Sequence, residues 1–353
     1  MASVGVPGTN EGDGLSVVIP TFDRARRVVA AVQSARAALG PGDELIVIDD
    51  GSTDDTAEAL APFHGQIRYV RTPNRGCGAA RNRGILEATK PLVAFLDSDD
   101  EWMPDKLLLQ RRVLAARRDV LFCFSDFAAR DDAGRERRFH LMTWHNDHRS
   151  WAEILGPSFA FSAIGALPPG RPDFQVYVGS LYLAQMSANY VFTGSLVARR
   201  VEAGDALRFA EDLPINEDWE CFGRLARIGP AAYLECETVW NGGHSGPRIS
   251  DADEFTRATN LLKVLERIWG ADPAFVSAHG ARYHAVVAAQ HLIRARAFLR
   301  AGRTREARIE LAKAGPAPLE LRLAAALPGP LVRAVIGLLR PDRDTVRKPA
   351  GAA

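Results

Sequence analysis

Leu92-Val93-Ala94-Phe95-Leu96-Asp97-Ser98-Asp99-Asp100 is an apolar run that ends in an acidic turn, and its reading decides the fold. Similar short runs stand upstream at Leu15–Ile19, Glu44–Ile48 and Ile67–Val70, and downstream at Val120–Phe124. Between them, segments 24–38, 54–62, 77–89 and 104–118 place Ala, Leu, Arg and Glu in amphipathic, helical patterns. The alternation predicts a doubly wound, mostly parallel sheet flanked by helices, an α/β class fold. Ligands of such sheets bind beyond the carboxyl ends of the strands. There the chain has Pro20-Thr21-Phe22-Asp23-Arg24 after the first run, Asp49-Asp50-Gly51-Ser52 after the second, and the Asp97–Asp100 turn, so three polar clusters converge on one edge.

With 353 residues, 47% of them hydrophobic, the chain can bury a large core. Its 44 Lys and Arg against 43 Asp and Glu leave a net charge of +1, without the overall basic field that drives nucleic-acid binding. Cys77, Cys123, Cys221 and Cys236 are far apart, which argues against a zinc ribbon, a redox dithiol or a secreted disulfide framework and fits a reducing cytoplasm. Residues 1–14 read as a disordered, Gly-rich lead-in, neither they nor any later stretch resembling a signal peptide or a membrane span. From 126 to 215 the periodicity weakens around Leu167-Pro168-Pro169-Gly170, which predicts long loops and short strands packed beside the sheet. After Asn241-Gly242-Gly243 the pattern is helical again, at Glu254–Trp269, Ala281–Ala301 and Thr304–Ala314.

The acidic turn suits a hard divalent cation, Mg²⁺ or Mn²⁺, which takes one or two protein carboxylates and fills its shell from substrate phosphates; it also suits a cap on the helix starting near Pro104. In Asp49-Asp50-Gly51-Ser52-Thr53-Asp54 a cap accounts for Ser52 and Asp54, and the carboxylates at the strand end point to a nucleobase or ribose partner. Asn74-Arg75-Gly76-Cys77-Gly78-Ala79-Ala80-Arg81-Asn82 fails the dinucleotide fingerprint, because Arg81 stands where its third glycine belongs; an NAD enzyme is disfavoured. Gly78 still permits close backbone approach at a helix N-terminus, and Arg81 would add charge there for a phosphate.

Taken in order, the Pro20–Arg24, Asp49–Asp54, Gly78–Gly84 and Phe95–Asp100 motifs resemble the family 2 glycosyltransferases of the GT-A fold, and the resemblance extends over about residues 14–250. It implies a nucleoside site at Thr21, Asp23 and Asp50, flanked by Pro20, Arg24, Gly78, Arg81, Asp97 and Ser98. Phe22-Asp23 departs from the family's common Tyr-Asn. Asp97-Ser98-Asp99 looks like the D-x-D motif, with Asp99 the direct ligand of Mn²⁺ or Mg²⁺ and Asp97 and Asp100 beside it. Asn216-Glu217-Asp218-Trp219-Glu220 looks like the E-D-x motif, which makes Asp218 the general base and Glu217 its substitute. His244, in the Gly-rich segment after Trp240, is similar to a family histidine near the diphosphate or the metal, and Asn189–Ser195 to a segment beside the acceptor cleft.

The resemblance implies an inverting hexosyltransferase that moves a sugar from a nucleotide diphosphate donor, UDP-linked, to a hydroxyl of a glycan or lipid-linked glycan in cell-envelope or exopolysaccharide synthesis. The chain then divides into a lead-in (1–14), a nucleotide-sugar-binding half (15–125), an acceptor-binding and catalytic half (126–250), a helical appendage (251–318) and a basic amphipathic tail (319–353). That tail, with Arg322, Arg333, Arg340 and the stretch from Arg343 to Lys348, would bring a cytoplasmic chain to the inner face of the cell membrane as a peripheral protein. Competing readings are a sugar-phosphate nucleotidyltransferase, disfavoured by the Pro20-Thr21-Phe22-Asp23 turn where a basic Gly-rich loop belongs, and a non-catalytic nucleotide-sugar-binding module that uses the helical hairpin 281–314 for protein contacts.

Overall fold

The aliphatic runs at 15–19, 44–48, 67–70 and 92–96 become adjacent parallel strands in a computed structural model, which describes residues 14–130, 134–141, 149–242 and 252–333. The chain divides into two compact units, Met1–Pro247 and Arg248–Ala353. His244, the lead-in 1–13 and the stretch from Arg340 to Lys348 lie outside the described residues.

In the first unit the elements follow as β1 (Leu15–Thr21), α1 (Ala25–Ala38), β2 (Glu44–Asp49), α2 (Thr56–Leu60), β3 (Arg68–Arg71), α3 (Cys77–Glu87), β4 (Leu92–Phe95), β5 (Glu101–Trp102), α4 (Lys106–Ala116), β6 (Phe122–Arg130) and β7 (Glu136–Arg137). There follow α5 (Trp151–Leu155), β8 (Ser158–Ala160), β9 (Gln175–Gly179), α6 (Tyr182–Gln185), β10 (Val197–Arg199), α7 (Arg200–Ala203), α8 (Glu217–Ile228) and β11 (Ala231–Gly242). One sheet runs β3-β2-β1-β4-β10-β6-β11-β9-β8, with β5 against β11 and β7 against β6. β1 is parallel to β2 and β4, with Val17 opposite Leu45 and Ala94. Both faces of these strands are covered, so every residue from Leu15 to Thr21 is buried. Helix α1 turns Val28, Ala31, Val32 and Ala35 inward, the one-stripe spacing of a helix packed on a sheet.

The structure corrects the expectation for residues 126–215. Their short strands join the sheet itself, and β10 enters its middle, antiparallel to both β4 and β6. Three residues are too few to show a period, so Val197–Arg199 gave no strand signal. The twelve-residue β11 was also hidden, because Glu235, Glu237 and Thr238 interrupt its apolar pattern. Glu237 is nevertheless buried, where it accepts the Phe139 N–H at 2.7 Å and pairs with Arg138, and the β11–β6 register shifts on either side of it.

The second unit is helical. Asp253 caps α9 (Glu254–Leu265) by accepting the Thr256 N–H at 2.9 Å, and a π-helical turn, Glu266–Gly270, follows. Asp272 caps α10 (Pro273–Arg300) by accepting the Phe275 N–H, with Pro273 at its first position. Helices α11 (Thr304–Ala314) and α12 (Leu319–Ala326) complete the described part. Ala295, Leu299, Ala307, Leu311, Ala325 and Val332 form a core here, beside a buried Glu310 held by Arg294 at 3.0 Å and His291 at 2.8 Å. Among the described residues no helix is long and apolar enough to cross a membrane.

Candidate functional site

The carboxyl ends of β1, β2 and β4 carry the three polar clusters, and the loops that hold them are stitched to one another. The Asp50 N–H donates to the Thr21 carbonyl at 2.9 Å, continuing the β1–β2 ladder into the loops. Asp23 adopts a left-handed backbone (φ 50°), which aims its carboxylate at the next loop, where it accepts the Thr53 N–H at 2.7 Å. Its own N–H donates to the Ser52 hydroxyl. Asp23 thus builds the wall of the edge. The Thr21 hydroxyl differs: it is buried and lacks a hydrogen-bond partner, a costly state that a bound polar ligand would relieve.

Both aspartates at the end of β2 are engaged by the protein. Asp49 accepts the Tyr69 hydroxyl at 2.5 Å and the Ser52 N–H at 2.7 Å. Asp50 accepts the N–H groups of Arg75 at 3.0 Å and Gly76 at 2.7 Å, just ahead of α3, while burial pushes its pKa above the usual carboxylate range.

Arg81, on the second turn of α3, organises the centre. The sequence assigned it to a phosphate, but its buried guanidinium instead bridges two carboxylates, Asp97 Oδ1 at 2.6 Å and Glu217 Oε1 at 2.8 Å, and lies over the Phe209 ring. Asn82 beside it holds the Phe209 backbone through two hydrogen bonds, which keeps that ring under the cation. Gly78 also has a different use from the expected phosphate approach: a Cβ there would stand 2.9 Å from the Ala210 carbonyl and 3.4 Å from Glu217 Cγ. Helix α3 can therefore pass close to the 210–217 segment only with glycine at this position.

The acidic turn folds back on itself, the Asp100 N–H donating to the Asp97 carbonyl at 3.0 Å, with Ser98 buried inside it. Asp100 is buried and accepts the Asn241 side-chain amide at 2.9 Å and the Gly242 N–H at 3.0 Å. Burial first, and then the charges of Asp99 and Asp97, raise its pKa well above the usual range. Arg81 holds one oxygen of Asp97, Asp100 faces β11, and Asp99 stands half-exposed at the turn. This donor set fits a Mg²⁺ or Mn²⁺ ion that takes one or two carboxylates and completes its shell with water and phosphate; among the described residues no three His, Cys, Asp or Glu form a closed cage.

Asn216, left-handed at φ 65°, turns the chain into α8, so that Glu217 and Asp218 occupy its first turn. There the helix dipole favours negative charge. Asp218 accepts the Trp219 N–H at 2.7 Å, the Asn189 amide at 3.2 Å and the Thr193 hydroxyl at 3.4 Å. Burial raises its pKa against the pull of Arg81. Glu217 is pushed up to about 7 by burial and by the Asp218 charge. Sequence reasoning had singled out Asn189–Ser195 without giving any residue in it a partner; Asn189 and Thr193 are the ones that reach Asp218. Gln185, which holds Asn189 at 2.7 Å, and Phe209 carried no sequence signal.

Comparisons with known proteins bear on the family likeness and the fold. Residues 16–163 match the profile of Glycosyl transferase family 2. The succinoglycan biosynthesis protein ExoO of Rhizobium meliloti is 28% identical over 238 residues, 65% of this chain and 62% of that protein. An uncharacterised glycosyltransferase of Rickettsia conorii is 38% identical over 102 residues, 28% of this chain and 17% of its own length. The chain spans less than two thirds of the length of these curated relatives. Among solved structures, Staphylococcus aureus TarS 1-349 in complex with UDP-GlcNAc superposes with a TM-score of 0.57 at 15% identity, covering 92% of this chain and 87% of that one. The mannosyltransferase PcManGT from Pyrobaculum calidifontis, in complex with GDP-Man and Mn²⁺, gives a TM-score of 0.50 at 19% identity over 92% and 79%. Residues 16–163 of this chain are thus similar to glycosyl transferase family 2, and its fold is that of the GT-A structures.

Proposed function

We propose that the protein is a metal-dependent, inverting glycosyltransferase that moves a sugar from a UDP-linked donor to a hydroxyl of a glycan or lipid-linked glycan, in cell-envelope or exopolysaccharide synthesis. The observation that carries this reading is the Arg81 bridge, which holds the acidic turn after β4 and the first turn of α8 on one buried cation although they are more than a hundred residues apart in sequence. Donor-binding and proton-accepting groups thereby share one edge of the sheet. The succinoglycan role named for ExoO supports a polysaccharide product, and the UDP-GlcNAc held by TarS supports a UDP-sugar donor.

In this reading the nucleoside lies against Thr21 and Asp50, with Asp23 and Arg24 shaping the loop around it. Asp99, with Asp97 beside it, would hold the divalent cation, which supplies charge neutralisation for the departing diphosphate. Asp218 takes the proton of the acceptor hydroxyl as that oxygen bonds to C1 of the sugar. The bond from C1 to the diphosphate oxygen breaks, the nucleoside diphosphate leaves, and the configuration at C1 inverts. Asp218 suits this task, because a carboxylate with a raised pKa is a stronger base than an exposed one and its protein partners at 3.2 and 3.4 Å are long enough to exchange. Glu217, committed to Arg81, steadies the site. An acceptor carried on a lipid would bring the enzyme to the inner face of the cell membrane.

The test pairs melting with turnover. UDP with Mn²⁺ should raise the melting temperature, by about 2.7 kcal/mol of stabilisation at 100 times the dissociation constant. Asp99→Ala should lose the metal-dependent part. Asp218→Asn should keep it while transfer falls by about 10²–10⁴. Stabilisation by no nucleotide, or full transfer by both variants, would overturn the reading.

A further inference from the structure

The net charge of +1 conceals a division. Residues 248–353 carry 18 Lys and Arg against 10 Asp and Glu, a net of +8, and residues 1–247 carry 26 against 33, a net of −7. The basic unit also has an apolar outer face. Helix α12 reads Leu319-Glu320-Leu321-Arg322-Leu323-Ala324-Ala325-Ala326, and it is apolar on two sides. Leu321, Ala324 and Ala325 pack into the core formed with α10 and α11. Leu319, Leu323 and Leu327 recur every fourth residue on the other side and are 64%, 60% and 42% exposed, and Leu331 beyond Pro328 is 54% exposed. Arg322 and Arg333, both exposed, flank the leucines.

We infer that this leucine face is a docking surface for an anionic lipid bilayer, with Leu319, Leu323, Leu327 and Leu331 entering the headgroup boundary and the surrounding arginines pairing with lipid phosphates. An exposed apolar stripe within a strongly basic unit matches the two attractions that hold interfacial helices on membranes, acyl contact and negative surface potential. A nucleic acid would be drawn to the charge but leaves the leucines without a role. A second copy docked leucine face to leucine face would satisfy the leucines but brings two units of +8 together. The inference rests on the second unit alone, so its failure would leave the donor site untouched.

The experiment is flotation of the full chain with vesicles of phosphatidylcholine alone or with one third phosphatidylglycerol. Binding is expected only to the anionic vesicles. The double variant Leu323→Asp/Leu327→Asp should weaken it at least tenfold, with melting temperature and secondary structure unchanged because both side chains are exposed. Arg322→Gln/Arg333→Gln, a second pair, should weaken it by a smaller factor. Absence of binding to anionic vesicles, or unchanged binding by the leucine variant, would overturn the inference. So would a dimer in light scattering that the leucine variant converts to monomer, since the face would then belong to a second copy.

Discussion

Glu217 and Asp218 are consecutive in one helical turn, yet the chain gives them different company: Glu217 faces a buried guanidinium, and Asp218 faces an amide and a hydroxyl. The difference is testable through stability. A carboxyl raised from 4.5 to about 7 still holds its proton in the folded chain at pH values where the unfolded chain has lost it. Stability therefore falls as pH rises from about 4.5 to about 7 and levels off above that. Glu217→Gln removes the titration while keeping shape. Its melting temperature relative to the native chain should climb from pH 5 to about pH 7 and then level off; a difference that stays flat across the range would show that Glu217 ionises as freely as an exposed glutamate. Arg81 moderates this effect by pulling the Glu217 carboxyl back down against burial. Without it the buried carboxylates Asp97 and Glu217 would stand uncompensated, a situation that costs more than the pair itself contributes.

Among the elements, the first five strand runs and the four helices between them were legible because each repeats a period several times and ends in a turn with its own chemistry. The polar clusters were legible for the same reason, since each follows directly on a strand end. What stayed hidden was everything set by contact between distant segments: the insertion of the three-residue β10, the length of β11 through its buried Glu237, and the partners of Arg81. A phosphate role for Arg81 follows from a Gly-rich helix start, and only the fold shows that Asp97 and Glu217 reach the guanidinium first. Another such contact joins the end of β11 to the acidic turn. A Cβ on Gly242 would lie 2.1 Å from the Asp99 carbonyl, and the Gly242 N–H also holds Asp100. Gly242→Val must push the turn outward. Expected is a loss of about 1–3 kcal/mol in stability and, beyond it, a weakening of Mn²⁺-dependent nucleotide binding with metal-free nucleotide binding kept. Equal weakening of both, measured by titration calorimetry, would mean that the turn does not act through the metal.

At the scale of the whole molecule the two units answer salt differently. The first unit has a net charge of −7 and, in the proposed function, receives an anionic donor. On that proposal its attraction for the donor would be local, carried by buried groups and by a divalent cation that would cancel much of the diphosphate charge, and buried pairs are screened little. The second unit, at +8, meets an anionic bilayer through exposed arginines spread over its surface, and such interactions are cut off beyond about 8 Å at physiological ionic strength and reach about 30 Å at 0.01 M. Raising salt from about 0.02 M to about 0.3 M should therefore strip most of the chain from anionic vesicles, at least tenfold in partitioning, while Mn²⁺-dependent UDP binding changes by less than about threefold. The two titrations use one protein preparation, so folding state and concentration cancel between them. A parallel loss of vesicle and nucleotide binding would mean that the donor is held by long-range charge, and with it the argument from the buried Arg81 cluster to a pre-formed donor site would fail. Retention on vesicles at high salt would assign the docking to the leucines, with the arginines contributing orientation.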